Sequence, residues 1–171
     1  MKKILSTLAI SAILSTGATA GEIYGSIGGA ITSVSYLDSG MSIVATAGMK
    51  MDQIIPGFAV EIEASQTVVD PSHSYLSSDW DWSIFGLGAY AVYNVKIPNS
   101  PITIKPRLGL NYQNWTYDNK VSTFGGAESS DVALSYGLNV SYPIGSNLNA
   151  YIDYTDKGSS DNIGLGVGMS F

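Results

Sequence analysis

The sequence predicts an all-β fold: an eight-stranded antiparallel up-and-down transmembrane β-barrel. Three observations predict it. Eight segments alternate large apolar residues with small or polar ones at a period of two, the period of a strand with one face against an apolar medium. After residue 20 no long uninterrupted apolar run remains, so a hydrophobic content of 45% has to reside in that alternation. The connections alternate too, short ones with proline exchanging along the chain with longer, more acidic ones.

Residues 1–20 read as a cleaved secretory signal peptide, leaving a barrel domain over 21–171. Lys2 and Lys3 supply the positive end, Ile4 to Leu14 the short apolar stretch, and Ala18-Thr19-Ala20 the small-residue cleavage pattern. The first strand, Ile23–Val34, sets Ile23, Ile27 and Ile31 against Tyr24, Ser26 and Thr32. The second, Met41–Met51, sets Met41, Ile43 and Met49 against Ser42, Thr46 and Lys50. The third, Phe58–Thr67, sets Phe58, Val60 and Ile62 against Glu61, Glu63 and Ser65.

The fourth strand, about Trp80–Val95, is less regular. Phe85, Leu87, Ala89, Ala91 and Tyr93 form one apolar face, yet Ile84, Tyr90 and Val92 fall on the other. A bulge near Gly86 or Gly88 would account for that by shifting the register. The fifth runs from Ile102 to Gln113, with Lys105 and Arg107 opposite Ile104, Leu108 and Leu110; Pro106 removes one ladder donor. The sixth spans Val132–Tyr142 and the seventh Leu148–Thr155, which turns Asp153 away from Ile152 and Tyr154. The eighth, Asn162–Phe171, alternates strictly: Ile163, Leu165, Val167, Met169 and Phe171 against Gly164, Gly166, Gly168 and Ser170.

Asp52–Pro56, Lys96–Pro101 and Pro143–Asn147 are the tight turns; Ser35–Gly40, Val68–Asp79, Asp118–Ser130 and Asp156–Asp161 are the loops. With an even strand number both termini fall at the turn end. Phe58, Tyr93, Tyr142 and Phe171 form an aromatic band there. Tyr112 and Tyr154, with Trp80, Trp82 and Trp115 at or near the rim, form a second at the loop end, as at the two interfaces of a membrane. A soluble sandwich would turn the apolar faces inward and leave Glu61, Lys105 and Arg107 outside. The signal peptide, the acidic loops and the terminal Phe171 weigh against it together.

Composition excludes several classes. Without Lys2 and Lys3, six basic residues face fourteen acidic ones, a net charge of −8, which makes a poor nucleic-acid binder. There is no cysteine, hence no disulfide and no thiolate chemistry, and the single histidine cannot build a multi-histidine metal cluster. No cofactor or metal site is read from the sequence.

The phrases Phe85-Gly-Leu-Gly-Ala-Tyr90, Arg107-Leu-Gly-Leu-Asn-Tyr112 and Ile163-Gly-Leu-Gly-Val-Gly-Met-Ser-Phe171 resemble the small eight-stranded outer-membrane barrels, typified by the transmembrane domain of OmpA-type proteins. The likeness covers residues 21–171. It implies an outer-membrane location with the turns in the periplasm, and a monomer surrounded by outer-membrane lipids and lipopolysaccharide. It further implies that Leu165, Val167, Met169 and Phe171 act as a C-terminal insertion signal for the barrel-assembly machinery. The chain ends at Phe171, so the cell-wall anchoring of longer relatives is not carried over.

Inside such a barrel the alternation places Lys50, Glu61, Glu63, Lys105, Arg107 and Asp153. Glu61, Arg107 and Asp153 each follow a tight turn by about five residues on strands of the same sense, so they fall at similar depth. Mixed charges can pair there, and eight strands leave room only for side chains or one small ligand. The expectation is a charged interior plug and a structural or surface-interaction role: envelope integrity, or loop contacts with lipopolysaccharide or partner proteins. A narrow channel for small solutes is the alternative. A lipid A-modifying enzyme comes third, because His73 in Asp70-Pro-Ser-His-Ser74 reads as an exposed loop residue without a strand-borne serine beside it. Asp79 and Asp81, flanking Trp80, read as a solvated strand end rather than an acid pair. The loop carboxylates, Asp38, Asp70, Asp118, Glu128, Asp131, Asp156 and Asp161 among them, give the outer rim a negative field that suits Mg²⁺ or Ca²⁺ bridges to lipid phosphates.

Overall fold

Residues 21–75, 78–119 and 128–171 are described by a computed structural model; the signal-peptide reading of 1–20 lies outside them. The strands are β1 (Ile23–Ser33), β2 (Gly40–Lys50), β3 (Phe58–Val69), β4 (Ser72–Tyr75), β5 (Ser78–Tyr93), β6 (Val95–Lys96), β7 (Thr103–Asn119), β8 (Glu128–Pro143), β9 (Leu148–Asp156) and β10 (Asp161–Ser170). Eight of them form a closed antiparallel ring in the order β5-β3-β2-β1-β10-β9-β8-β7 and back to β5. β4 and β6 are short continuations that pair only with β5 and β7. Closure leaves no ring strand with a free edge at mid-height, which is what a backbone surrounded by hydrocarbon requires.

Period two decides which side chain goes where. Tyr24, Ala30, Thr32, Ser42, Glu61, Glu63, Ser65, Arg107, Asn111, Gln113 and Ser135 are buried inside the ring. Between them Ile31, Ile43, Leu108, Leu134, Ile152 and Leu165 stand exposed on the outside, Leu165 at 70%. A soluble protein could not keep so continuous an apolar belt on its surface. Phe171 closes the ring at the turn end, its N–H donating to Ile23 O at 2.9 Å.

The irregular fourth strand resolves differently from the sequence expectation. The β3–β5 ladder runs unbroken from Phe58↔Tyr93 to Gln66↔Phe85, and β5–β7 from Trp80↔Asn119 to Val92↔Arg107, so there is no bulge at Gly86 or Gly88. Ile84, Tyr90 and Val92 are inside, at 4%, 3% and 2% exposure. Tyr24, Ala59, Tyr90 and Val92 pack together as an apolar cluster within the polar interior. The register shift lies instead at Met41/Ser42, where Met41 opposes Val69 and Ser42 opposes Thr67. There Thr67 Oγ1 leaves the ladder's logic, accepting from Ile84 N–H at 2.9 Å and donating to Asp70 Oδ1 at 2.6 Å.

Pro106 has a visible consequence. The β5–β7 ladder ends at Val92↔Arg107 and pairing resumes only at Val95↔Ile104, so the gap falls beside the residue with no N–H. Asn94, in the gap, sends both its N–H and its side-chain amide to Gly57 O, at 2.7 and 2.9 Å.

The loop end is more ordered than expected. Val68–Asp79 is not a plain loop: β3 continues to Val69, Pro71 interrupts it, and β4 and β5 form a hairpin with Tyr75↔Ser78. β7 and β8 likewise extend to Asn119 and back to Glu128. The outer aromatic band is narrower than the sequence implied. Trp82 and Trp115 share the inward parity of Ile84 and Gln113, which leaves Tyr112, Tyr136 and Tyr154 on the outside.

Candidate functional site: the interior charge network

Four elements bring ionic side chains together at mid-barrel. β3 supplies Glu61 and Glu63, two residues apart and so on one face. β7 supplies Arg107 and β9 supplies Asp153. The turn after β9 supplies Lys157, which the alternation does not cover. Its N–H bonds Ser160 O at 2.8 Å, and Gly158, with φ +83°, follows in the left-handed region. That turn folds the Lys157 side chain into the lumen, where the residue is 1% exposed.

Arg107 is the hub. Its Nη1 donates to Glu63 Oε2 at 2.8 Å and lies 3.9 Å from Glu61 Oε2. Its Nη2 donates to Asp153 Oδ1 at 2.7 Å and to Thr155 Oγ1. The guanidinium stands over the Tyr90 ring, 4.8 Å from its centroid, an arrangement that suits a planar delocalised cation. Lys157 Nζ lies 2.9 Å from Glu63 Oε1, off the line of a hydrogen bond, and donates to Ser65 Oγ at 3.1 Å. Glu63 is therefore held between two cations. Glu61 accepts from the Tyr24 hydroxyl at 2.7 Å.

The other two sequence-read cations stand apart. Lys50 sits at the turn-end mouth, paired with Glu22 at 2.7 Å. Glu22 lies outside the strands, and its hydrogen bond from Lys50 holds the carboxyl below the usual range. Lys105 reaches across the lumen to the Tyr24 ring, with Nζ 5.1 Å from the centroid. Beside the Arg107 cluster runs a cavity of about 710 Å³ whose wall includes Arg107, Glu63 and Asp153, reaches Ala30 and Asn162 toward the loop end, and includes Asp52, Gly57, Asn94 and Pro101 at the turn end.

Inward glycines are filled by tyrosines from neighbouring positions. A Cβ on Gly48 would meet the Tyr24 ring, and one on Gly88 the Tyr90 ring. Gly28 and Gly166, opposed across β1–β10, both border the Tyr151 hydroxyl, at 2.6 and 2.5 Å from an added Cβ. On β10, Gly166 thus makes room for Tyr151 and Gly168 for Asn149, while Gly164, in register with Asp153, borders Ala30.

Leu165, Val167 and Met169 point outward, and Phe171 is exposed at the turn end. His73 sits on β4 opposite Trp80 rather than in a loop; the side chains of His73 and Asp79 lie outside the described ones. Asp79 and Asp81 are the second and fourth residues of β5, near its outer end, with Asp81 opposed by Ser72 and Asp118.

Several comparisons bear on this architecture. The Outer membrane protein beta-barrel domain family matches residues 5–171. Among solved structures, Ail of Yersinia pestis, crystallised with the heparin analogue sucrose octasulfate, is 20% identical with a TM-score of 0.62, over 90% of this chain and 100% of that one. Neisserial surface protein A is 20% identical with a TM-score of 0.61, over 88% of this chain and 96% of that one. OprG of Pseudomonas aeruginosa is 15% identical with a TM-score of 0.64, over 89% and 96%. A search of curated proteins gives no match. The likeness to these structures shows the fold; the family match covers nearly the whole chain, and the protein belongs to the outer-membrane β-barrel family.

Proposed function

We propose that this protein is a structural and surface-interaction barrel of the outer membrane, with its turns toward the periplasm and its lumen closed by the Arg107 cluster. One observation carries the reading: Arg107 joins Glu63 on β3 to Asp153 on β9 across the lumen, with Lys157 folded in behind Glu63. Opening a path there means separating buried, paired charges, at a cost of several kcal/mol. In planar bilayers the refolded protein should be silent. A steady conductance that changes in Arg107→Ala or Glu61→Ala would overturn the closed-lumen reading and favour the second one, a narrow channel for small solutes, which draws on the cavity open at the turn end.

The contact surface in this reading is the loop end. Asp38, Asp70, Asp131, Asp156 and Asp161 make it acidic, so a polysulfated ligand of the kind bound to Ail is a poor match for it. Lipopolysaccharide phosphates bridged by divalent cations are a better one. The outward Leu165, Val167, Met169 and the terminal Phe171 would serve the assembly machinery as the insertion signal.

A further inference from the structure

The cavity does not stop at the Arg107 cluster. It continues along the β1–β10 wall, past Gly28 and Gly164, as far as Ala30 and Asn162. The turn 157–160, between β9 and β10, lies at that end. Its Lys157 and Ser160 are buried at 1% and 4% exposure, while Gly158 and Ser159 between them are exposed. Its side chains tie it to three other strands. Lys157 Nζ reaches Glu63 and Ser65 on β3, Ser160 Oγ accepts from Gln113 Nε2 on β7 at 2.6 Å, and Ser159 Oγ donates to Asp131 Oδ2 on β8 at 2.9 Å. Asn162, with its amide oriented to satisfy both of its ends, accepts from Lys157 Nζ and donates to Thr32 Oγ1, at 3.1 Å each. Lys157 therefore fills the space beside the residue at which the cavity ends.

This turn is built as a lid rather than as wall. It lies beyond the β9–β10 ladder, whose outermost pair is Asp156↔Asp161, and its own backbone bond, from Lys157 N–H to Ser160 O, is internal. The ties to β3, β7 and β8 are made by side chains, so the turn can lift and leave the strand pairs in place. Lifting it also changes the charge. With the turn down, Lys105, Arg107 and Lys157 stand against Glu61, Glu63 and Asp153 inside the ring. Lys157 travels with the turn, so the opened lumen holds one carboxylate more than it holds cations, below a rim that carries Asp131, Asp156 and Asp161. A narrow path with negative walls admits cations and repels anions. We propose that the 157–160 turn is the outer gate of the barrel, and that lifting it joins the cavity to the loop side as a path for small cations. The gate rests on the reading that the lumen of the parent protein is closed.

Planar-bilayer recording of the refolded barrel tests it, with heat-dependent gel mobility to confirm that each variant is folded. Lys157→Ser removes both the filling side chain and the tie to β3, and should conduct where the parent is silent. Gln113→Ala combined with Asn162→Ala cuts two other ties without altering any charge; it should conduct as well, and supplies the test if Lys157→Ser does not fold. Under a KCl gradient the current of each variant should favour potassium over chloride by about tenfold or more. A folded variant as silent as the parent overturns the inference, and so does a current that favours chloride. Steady current in the parent would overturn the closed lumen instead; the gate is then decided by whether the variants raise that current, and no increase overturns it.

Discussion

Replacing Arg107 with methionine removes the hub while keeping most of its volume. Arg107 gives one charge-assisted hydrogen bond to Glu63 and one to Asp153, at 2.8 and 2.7 Å, among side chains 5%, 2% and 13% exposed. At about 1.5–3 kcal/mol for each such bond, the pair is worth about 3–6 kcal/mol. Removing one partner of a buried ion pair costs about 3–5 kcal/mol by direct comparison. Glu63 keeps Lys157 in the variant, and Glu61 keeps Tyr24, so the expected loss lies toward the lower figure, about 3–4 kcal/mol. Most of it comes from Asp153, which loses its only ion-pair partner among the described residues. Adding Asp153→Asn to Arg107→Met should therefore recover about half the loss, because the stranded charge is gone. Urea unfolding in phospholipid vesicles, followed by gel mobility and tryptophan fluorescence, measures both. A single variant within about 1 kcal/mol of the parent, or a double variant no better than the single, would refute the hub argument.

Three further outcomes follow from the same geometry. Leu165→Arg puts a cation on the lipid face near mid-belt and should cost about 2–4 kcal/mol in a bilayer, less in a loose micelle; equal stability in both would contradict the assignment of that face. Gly48→Ala pushes a methyl into the Tyr24 ring, which is tied to Glu61, and should cost about 1–3 kcal/mol, largely relieved when Tyr24→Ala is added; undiminished loss in the double variant would show that the ring is not the obstacle. The lowered Glu22 carboxyl contributes stability that is fully present above its unfolded value and lost as pH falls through its folded one. Glu22→Gln should thus melt slightly below the parent at pH 7 and level with it at low acid pH, the difference staying small because the pair is partly exposed. A gap that persists in acid would point to another role for Glu22.

The ring of eight antiparallel strands was legible because its signal, alternation with tight turns at one end, is local and repeats. The facing of Glu61, Glu63, Arg107 and Asp153 follows from the same period. What period two does not carry is shear, so which carboxylate meets Arg107 could not be read from strand position alone. Lys157 was missed for a different reason. It sits in a turn, beyond the last alternating residue, and only Gly158's left-handed backbone turns it into the lumen. A lone lysine in the otherwise acidic Asp156–Asp161 stretch was the available hint. The bulge expected near Gly86 came from assuming that apolar residues must face lipid. Ile84, Tyr90 and Val92 show that a small barrel also needs apolar volume inside, where side chains must fill the space that water and charges do not.

The seam between β1 and β10 holds one more implication. On the lumen side Ser26, Gly28 and Ala30 face Gly168, Gly166 and Gly164, so over that stretch the joint presents little side chain to the interior. Backbone hydrogen bonds repeat identically every two residues, and a joint made of them alone would slide by that step without a side chain objecting. Tyr151 is what stops it. Its hydroxyl lies over the place where Gly28 and Gly166 meet, and because Tyr151 is itself paired with Gly166, sliding β1 past β10 would bring Ser26 or Ala30 beneath it. The tyrosine works as an alignment pin: the two ends of the chain can approach in several staggers, and only one of them seats it.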